Sequence, residues 1–148
     1  MNPVRSKLPK ETADSQKAKR TSSGMKKILL LEPNAPLGRV YAAALAKHGY
    51  KVSWQKNAQE AIHEADQNKP DVVIAELQLA GHNGIEFLYE LRSYSDWQSV
   101  PVIVLSHVPE PKPALASRLK VAAYLYKPRT SLEQLVASVG NVLAAQQA

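Results

Sequence analysis

A chain of 148 residues has room for one buried core and not for two, so a single domain without a separate output or catalytic domain is expected. It contains no cysteine, which excludes disulfides, thiolate metal ligands and thiol nucleophiles. No apolar run approaches the roughly 18 residues of a membrane span or follows the basic N-terminus as a signal core, and a cytoplasmic location is the expectation.

The net charge of +6 is carried by the leading segment. Residues 1–27 hold eight Lys/Arg against Glu11 and Asp14, whereas residues 28–148 hold eleven of each sign. Residues 1–24 have almost no large apolar side chains beyond Val4 and Leu8, too few to offset ordering entropy, and are predicted to be a disordered basic tail. Residues 25–148 form the domain.

Within the domain, periodicity switches between continuous apolar runs and 3.6-residue patterns, the signature of βα units around a buried parallel sheet. A strand over about 27–32 leads into a helix with Leu37, Val40, Tyr41, Ala44 and Leu45 on one face, ended by Gly49. A short strand over about 51–54 precedes a helix capped by Asn57, with Glu60 as its partner and a stripe of Ala58, Ala61, Ile62 and Ala65. Residues 72–77 read as the central strand, and the helix after Gly84 buries Ile85, Leu88 and Leu91. Pro101 opens a strand over 101–105, prolines 109, 111 and 113 stiffen the next loop, and a short helix over about 113–120 leads to the last strand at 124–126. Thr130 with Glu133 has the capping-box spacing before an apolar stripe of Leu132, Leu135, Val136, Val139, Val142 and Leu143. Five strands alternating with five helices predict an α/β fold with a doubly wound parallel sheet.

Four of the strand runs end in a charged or hydroxylated residue: Glu32, Glu76, Ser106 and Lys127. In a parallel sheet these converge at the carboxyl edge, where open α/β sheets bind ligands. Glycine-rich phosphate loops, a Ser-His-Asp set and HExxH are all absent from the sequence, so an enzyme is not expected. His82 has no second His at ligand spacing and reads as a solvent-facing turn residue.

These stretches resemble the receiver domain of two-component response regulators over about 26–146. The matching segments are Lys27-Ile-Leu-Leu-Leu-Glu32, the run from Pro70 through Glu76 to Gly84, Leu91-Arg92, Pro101-Val-Ile-Val-Leu-Ser106 and Tyr124-Leu-Tyr-Lys-Pro128. The resemblance implies a flavodoxin-like strand order 2-1-3-4-5 and an acceptor aspartate after the third strand, phosphorylated by a histidine kinase with Mg²⁺. Here the acceptor position is Glu76. Of the two acidic residues that hold the metal in the family, the first matches Glu32, but the second, usually the direct ligand, is Pro33. Only a weak Mg²⁺ site from Glu32, Glu76 and the Asn34 amide remains, and no cofactor is expected. Ser106 and Lys127 match the residues that bond the phosphoryl group and pair with the acceptor, and Tyr124 matches the switch aromatic. His107 stands where the family has a small residue, an imidazole that would hinder a phosphodonor or else a plain exposed loop His. Ala80 replaces a usual Pro, and Lys120-Val121 a usual Gly-Ala.

The extra methylene of Glu76 moves the nucleophile by more than in-line transfer tolerates, since about 1 Å of misplacement can cost on the order of 100-fold. It also directs a fixed charge toward the phosphoryl position. The expectation is therefore a stand-alone, pseudo-receiver-like signalling domain in a phosphorelay-type two-component pathway, acting through protein contacts in a fixed or phosphomimetic state. Its partner face is the fourth helix, fifth strand and fifth helix, containing residues 114–120, Tyr124 and residues 132–142. Two alternatives accompany it: a conventional response regulator phosphorylated at Glu76 by a histidine kinase with Mg²⁺, and a nucleic-acid-associated adaptor using the basic tail. A membrane is not expected as a partner, and a second copy of the chain, forming a homodimer, is a further candidate.

Overall fold

The computed structural model describes residues 24–79, 82–109 and 113–147. Apart from Gly24, the tail of residues 1–24 lies outside them, as do Ala80 and the prolines' loop at 110–112.

Strands β1 (Lys27–Leu31), β2 (Lys51–Gln55), β3 (Val72–Ala75), β4 (Val102–Ser106) and β5 (Val121–Tyr126) form one sheet. Its order is β2-β1-β3-β4-β5 and every pairing is parallel. Helices α1 (Ala35–Lys47), α2 (Ala58–Gln67), α3 (Gly84–Ser93), α4 (Pro113–Arg118) and α5 (Leu132–Gln147) connect and flank the strands. This is the predicted doubly wound architecture.

Alternating side chains of the central strands supply two cores, as expected for a sheet buried on both faces. Leu29, Leu31, Val73, Ala75, Val102 and Val104 pack with Ala61, Ala65, Phe87, Leu88 and Leu91 of α2 and α3. Ile28, Leu30, Val72, Ile74, Ile103 and Leu105 pack on the other face with Leu45 of α1 and Leu135, Val139, Val142 and Leu143 of α5.

Helix starts follow side-chain chemistry. Asn34, Asn57 and Asn83 each accept a backbone N–H from the first turn of the helix that follows, and Asn83 with Glu86 completes a capping box. Gly49 ends α1 with φ of +91°, a conformation in which a Cβ is unfavourable.

Several local expectations need correction. β3 is only four residues long, and Gln78–Leu79 turns away to pair antiparallel with His82–Asn83 in a separate two-stranded ribbon. The α5 capping pair is Ser131 with Gln134, not Thr130 with Glu133. A single 3₁₀ turn at Lys127–Arg129 shifts the helix start by one residue, and the Thr130 hydroxyl folds back onto the Tyr126 carbonyl at 2.8 Å. Val40, placed on the inward face of α1 by periodicity, is 47% exposed.

Candidate functional site

All four strand-end residues meet at the carboxyl edge. Glu32 directly follows β1, and its backbone N–H donates to Gln55 of β2 at 3.0 Å. The Trp54 indole donates to its carbonyl at 2.9 Å and lies across Gly38, where any Cβ would collide with the ring. Glu76 directly follows β3, with its N–H on the Leu31 carbonyl at 3.0 Å. Ser106 closes β4, and Lys127 opens the 3₁₀ turn after β5.

Among the described residues, Glu32, Glu76 and Ser106 are the buried polar ones, each 1% exposed or less. Lys127 reaches between the two carboxylates, with Nζ 2.7 Å from Glu32 Oε1 and 2.6 Å from Glu76 Oε1. The Glu76 carboxylate accepts from four donors. Lys127 Nζ and His107 Nδ1, the latter at 3.0 Å, meet Oε1; the Gln78 N–H at 2.9 Å and the Ser106 hydroxyl meet Oε2. Glu32 is similarly engaged, because Oε2 accepts the Asn34 N–H at 3.0 Å.

Burial alone would raise the Glu76 pKa, but the hydrogen bonds from Lys127, Ser106 and Gln78, with the Lys127 charge, outweigh it and hold the carboxyl below its ordinary value. Burial likewise works against the Lys127 ammonium, and its bonds to Glu32 and Glu76 more than compensate, raising its pKa. The Glu76 anion and the Lys127 cation are thus kept charged together in a buried pocket.

A hydrogen-bonded path leads from this carboxylate to Tyr124. The Ser106 hydroxyl, while donating to Glu76, accepts the Val108 N–H at 3.1 Å, and the Val108 carbonyl accepts the Tyr124 hydroxyl. The half-buried Tyr124 ring packs against the core beside α3 and α4.

Every predicted site residue, Glu32, Glu76, Ser106, Lys127 and Tyr124, therefore belongs to one connected cluster. His107 is a correction to the plain-loop reading: 53% of its side chain is exposed, yet Nδ1 is on the Glu76 carboxylate. Tyr41 was not anticipated here. Burial raises the pKa of its phenol, which also feels the charges of Lys127, Glu32 and Glu76. Asn34, considered for a metal, instead spends its side-chain oxygen capping α1 on the Leu37 N–H. For His82 only the backbone pairing with Leu79 is described.

The geometry does not fit a magnesium ion as it stands. Pro33 supplies no ligand, the Lys127 ammonium occupies the space between the two carboxylates, and Mg²⁺ demands a near-octahedral oxygen shell. Among the described residues no group of three or more His, Asp or Glu is arranged to hold a metal. The predicted partner face divides in two: Leu135, Val139 and Val142 are core residues, while Ala114, Ser117, Lys120 and Leu132 face outward. No described helix is long and apolar enough to cross a membrane.

A family model described as the response regulator receiver domain matches residues 28–140. The KDP operon transcriptional regulatory protein KdpE of Escherichia coli is 37% identical over 70% of this chain and 45% of its own length. Protein PilH of Pseudomonas aeruginosa is 29% identical over 81% of this chain and 99% of its own length. The chain spans about half the length of KdpE and of the phosphate regulon regulator PhoB, and nearly all of PilH. Among solved structures, chemotaxis response regulator CheY4 of Vibrio cholerae superposes with a TM-score of 0.73 at 24% identity, covering 80% of this chain and 98% of that one. A CheY-like receiver domain protein of Methanospirillum hungatei gives a TM-score of 0.76 at 17% identity, covering 83% and 97%.

Proposed function

The chain belongs to the response regulator receiver domain family, and we propose that within it this protein signals by protein contact, with Glu76 standing permanently where a phosphoryl group would otherwise arrive. The observation that carries the reading is the set of four donors on the Glu76 carboxylate. Both oxygens are engaged, and the His107 imidazole lies over the one that Lys127 also holds. No oxygen is left to attack a phosphodonor in line, a reaction that depends on positioning and on metal neutralisation of charge.

In this reading Lys127 replaces the metal as the neutralising cation, and the protein needs neither Mg²⁺ nor catalysis of its own. The mimicry is partial, because a phosphoryl group brings about −1.5 to −2 charge and three acceptor oxygens against one charge and two oxygens for Glu76. The path through Ser106 and Val108 carries the state of the pocket to Tyr124, and so to the outward residues of α4, β5 and α5. Those residues are where a cytoplasmic signalling partner would read it.

The test is an NMR titration of beryllofluoride with Mg²⁺ into the full chain and into a variant carrying Glu76→Asp and Pro33→Asp. Silence in the native chain with shifts around residue 76, Ser106 and Lys127 in the variant is the expected outcome. Shifts at Glu76 in the native chain, or an 80 Da mass gain on exposure to acetyl phosphate and Mg²⁺, would restore conventional phosphorylation.

A further inference from the structure

At the edge of the sheet opposite Glu76 two hollows adjoin, of about 420 and 230 Å³. Ser99, Val100, Pro101 and Gln146 line both, so the two are parts of one trough. Its other lining residues fix its course. Lys26 precedes β1, Asp71 precedes β3, Pro101 precedes β4 and Lys120 precedes β5, and since every pairing is parallel these mark the amino ends of four neighbouring strands. Three strand spacings of about 4.8 Å give the trough a length of about 14 Å.

Its charge is one-sided. Lys26, Lys69, Arg92 and Lys120 line it against Asp71, whose carboxylate is taken by the Lys27 N–H at 2.7 Å. Arg92 is committed to backbone carbonyls and adds mainly charge. The three lysines have no ion-pair partner among the described residues, whose salt bridges all involve Glu76 or Glu32. None of the three stands in the last turn of a helix, where the helix dipole would account for a cation. In sequence, residues 1–24 hold six Lys/Arg against Glu11 and Asp14 and run directly into Met25 and Lys26. The basic trough and the basic segment are therefore contiguous.

We propose that together they bind the phosphate backbone of a nucleic acid, without reading its sequence. A length of about 14 Å matches the axial rise of about four phosphates on one strand, at about 3.4 Å each. The neutral donors beside the lysines, Gln98, Ser99 and Gln146, are of the kind that bond phosphate and sugar oxygens. A trough admits a ridge of phosphates, whereas a flat lipid surface does not enter one. Val4 and Leu8 are also too little apolar surface to anchor the leading segment in a bilayer. The inference is independent of what Glu76 does.

Fluorescence anisotropy of the full chain with a labelled DNA duplex of random sequence tests it, over a salt series centred on about 0.1 M. The native chain should bind, and binding should weaken steeply with salt. Each phosphate contact contributes about 0.9 to the slope of log K against log salt, so Lys26→Gln, Lys69→Gln and Lys120→Asn combined should lower it by about 2–3. Asparagine is chosen at position 120 because it tolerates the left-handed backbone found there. Lys26→Gln and Lys69→Gln alone should each lower the slope by about 1, which keeps the test readable if the triple variant does not fold. Removing the same charge from exposed residues at the carboxyl edge, with Arg39→Gln, Lys56→Gln and Arg129→Gln, should leave the slope within about 1 of the native value. Absence of binding at about 0.1 M salt, equal slopes in the two triple variants, or tighter binding to phosphatidylserine vesicles or to polyglutamate than to DNA would overturn the proposal.

Discussion

Two side-chain cations organise the two ends of this sheet by opposite means. At the carboxyl edge the Lys127 ammonium is held by two charged side chains, Glu32 and Glu76. Toward the amino edge the Arg92 guanidinium at the end of α3 is held by uncharged backbone alone. Its Nε donates to the Leu119 carbonyl at 2.9 Å, and its terminal nitrogens to those of Trp97, Val100 and Lys120 at 2.8, 2.7 and 3.1 Å. The first arrangement is a balance of charges that one substitution can tip. The second is a clamp, tying the end of α3 to the loop before β4 and to the turn before β5. The contrast separates a site from a brace: side-chain acceptors can be exchanged for other chemistry, whereas backbone acceptors stay as long as the fold does.

The largest expected effect comes from removing the carboxyl-edge cation. Lys127→Met leaves two buried carboxylates facing each other without their shared cation, and breaking a buried ion pair from one side costs about 3–5 kcal/mol. Urea denaturation at pH 7 should show that loss, and it should shrink in acid, where the carboxyls become neutral. A loss below about 1 kcal/mol would mean that Lys127 behaves as a surface residue and that the charge balance is not real. Arg92→Met should cost less, about 2–3 kcal/mol, because it strands carbonyls instead of charges. Its loss should also vary little with pH, which is the property that most sharply distinguishes the brace from the site.

The same contrast explains what could be read from sequence. The charged site was visible because apolar strand runs announce themselves, and the polar residues ending them, Glu32, Glu76, Ser106 and Lys127, must meet if the sheet is parallel. The brace was not visible, because nothing in residue identity marks the carbonyls of Trp97, Val100, Leu119 and Lys120 as acceptors. His107 fell between the two cases. Its neighbour Ser106 is fixed by strand alternation, but the direction of the next side chain depends on a loop conformation that no periodicity encodes. Val40 shows the limit of helical patterning: period 3.6 put it on an inward stripe, while the neighbouring helix leaves that part of α1 beside an open seam.

Acid sharpens the comparison further. The Glu76 pKa is lowered in the folded protein, so its contribution is present above the unfolded carboxyl value and is lost as pH falls through the folded value. Stability of the native chain should therefore decline on acidification below about pH 4.5, as unfolding takes up the proton that the folded carboxylate refuses. Glu76→Gln removes that one proton and should flatten the acid limb relative to the native chain, while Arg92→Met should leave its slope unchanged. The Lys127 pKa is raised, so its contribution holds below the unfolded lysine value and is lost only as pH rises through the folded one, at the alkaline end. Parallel acid limbs in native and Glu76→Gln proteins would show that the carboxyl is not held in its charged form.

The smallest effect lies within the brace itself. Lys120 has φ of +57°, the one non-glycine residue with positive φ among those described, and its carbonyl is an Arg92 acceptor. Where the receiver resemblance has glycine, this chain holds a lysine side chain in a left-handed conformation. That conformation costs an L-residue about 1–2 kcal/mol. Lys120→Gly would relieve it but would enlarge the unfolded ensemble by about 0.5–1 kcal/mol. The two terms nearly offset, so a stabilisation of no more than about 1 kcal/mol is expected. In an Arg92→Met background the turn is no longer clamped and Lys120 can relax by itself, so the gain from glycine should disappear. A double-mutant cycle in urea measures that difference. Equal gains in both backgrounds would mean that the turn, not Arg92, dictates the left-handed backbone.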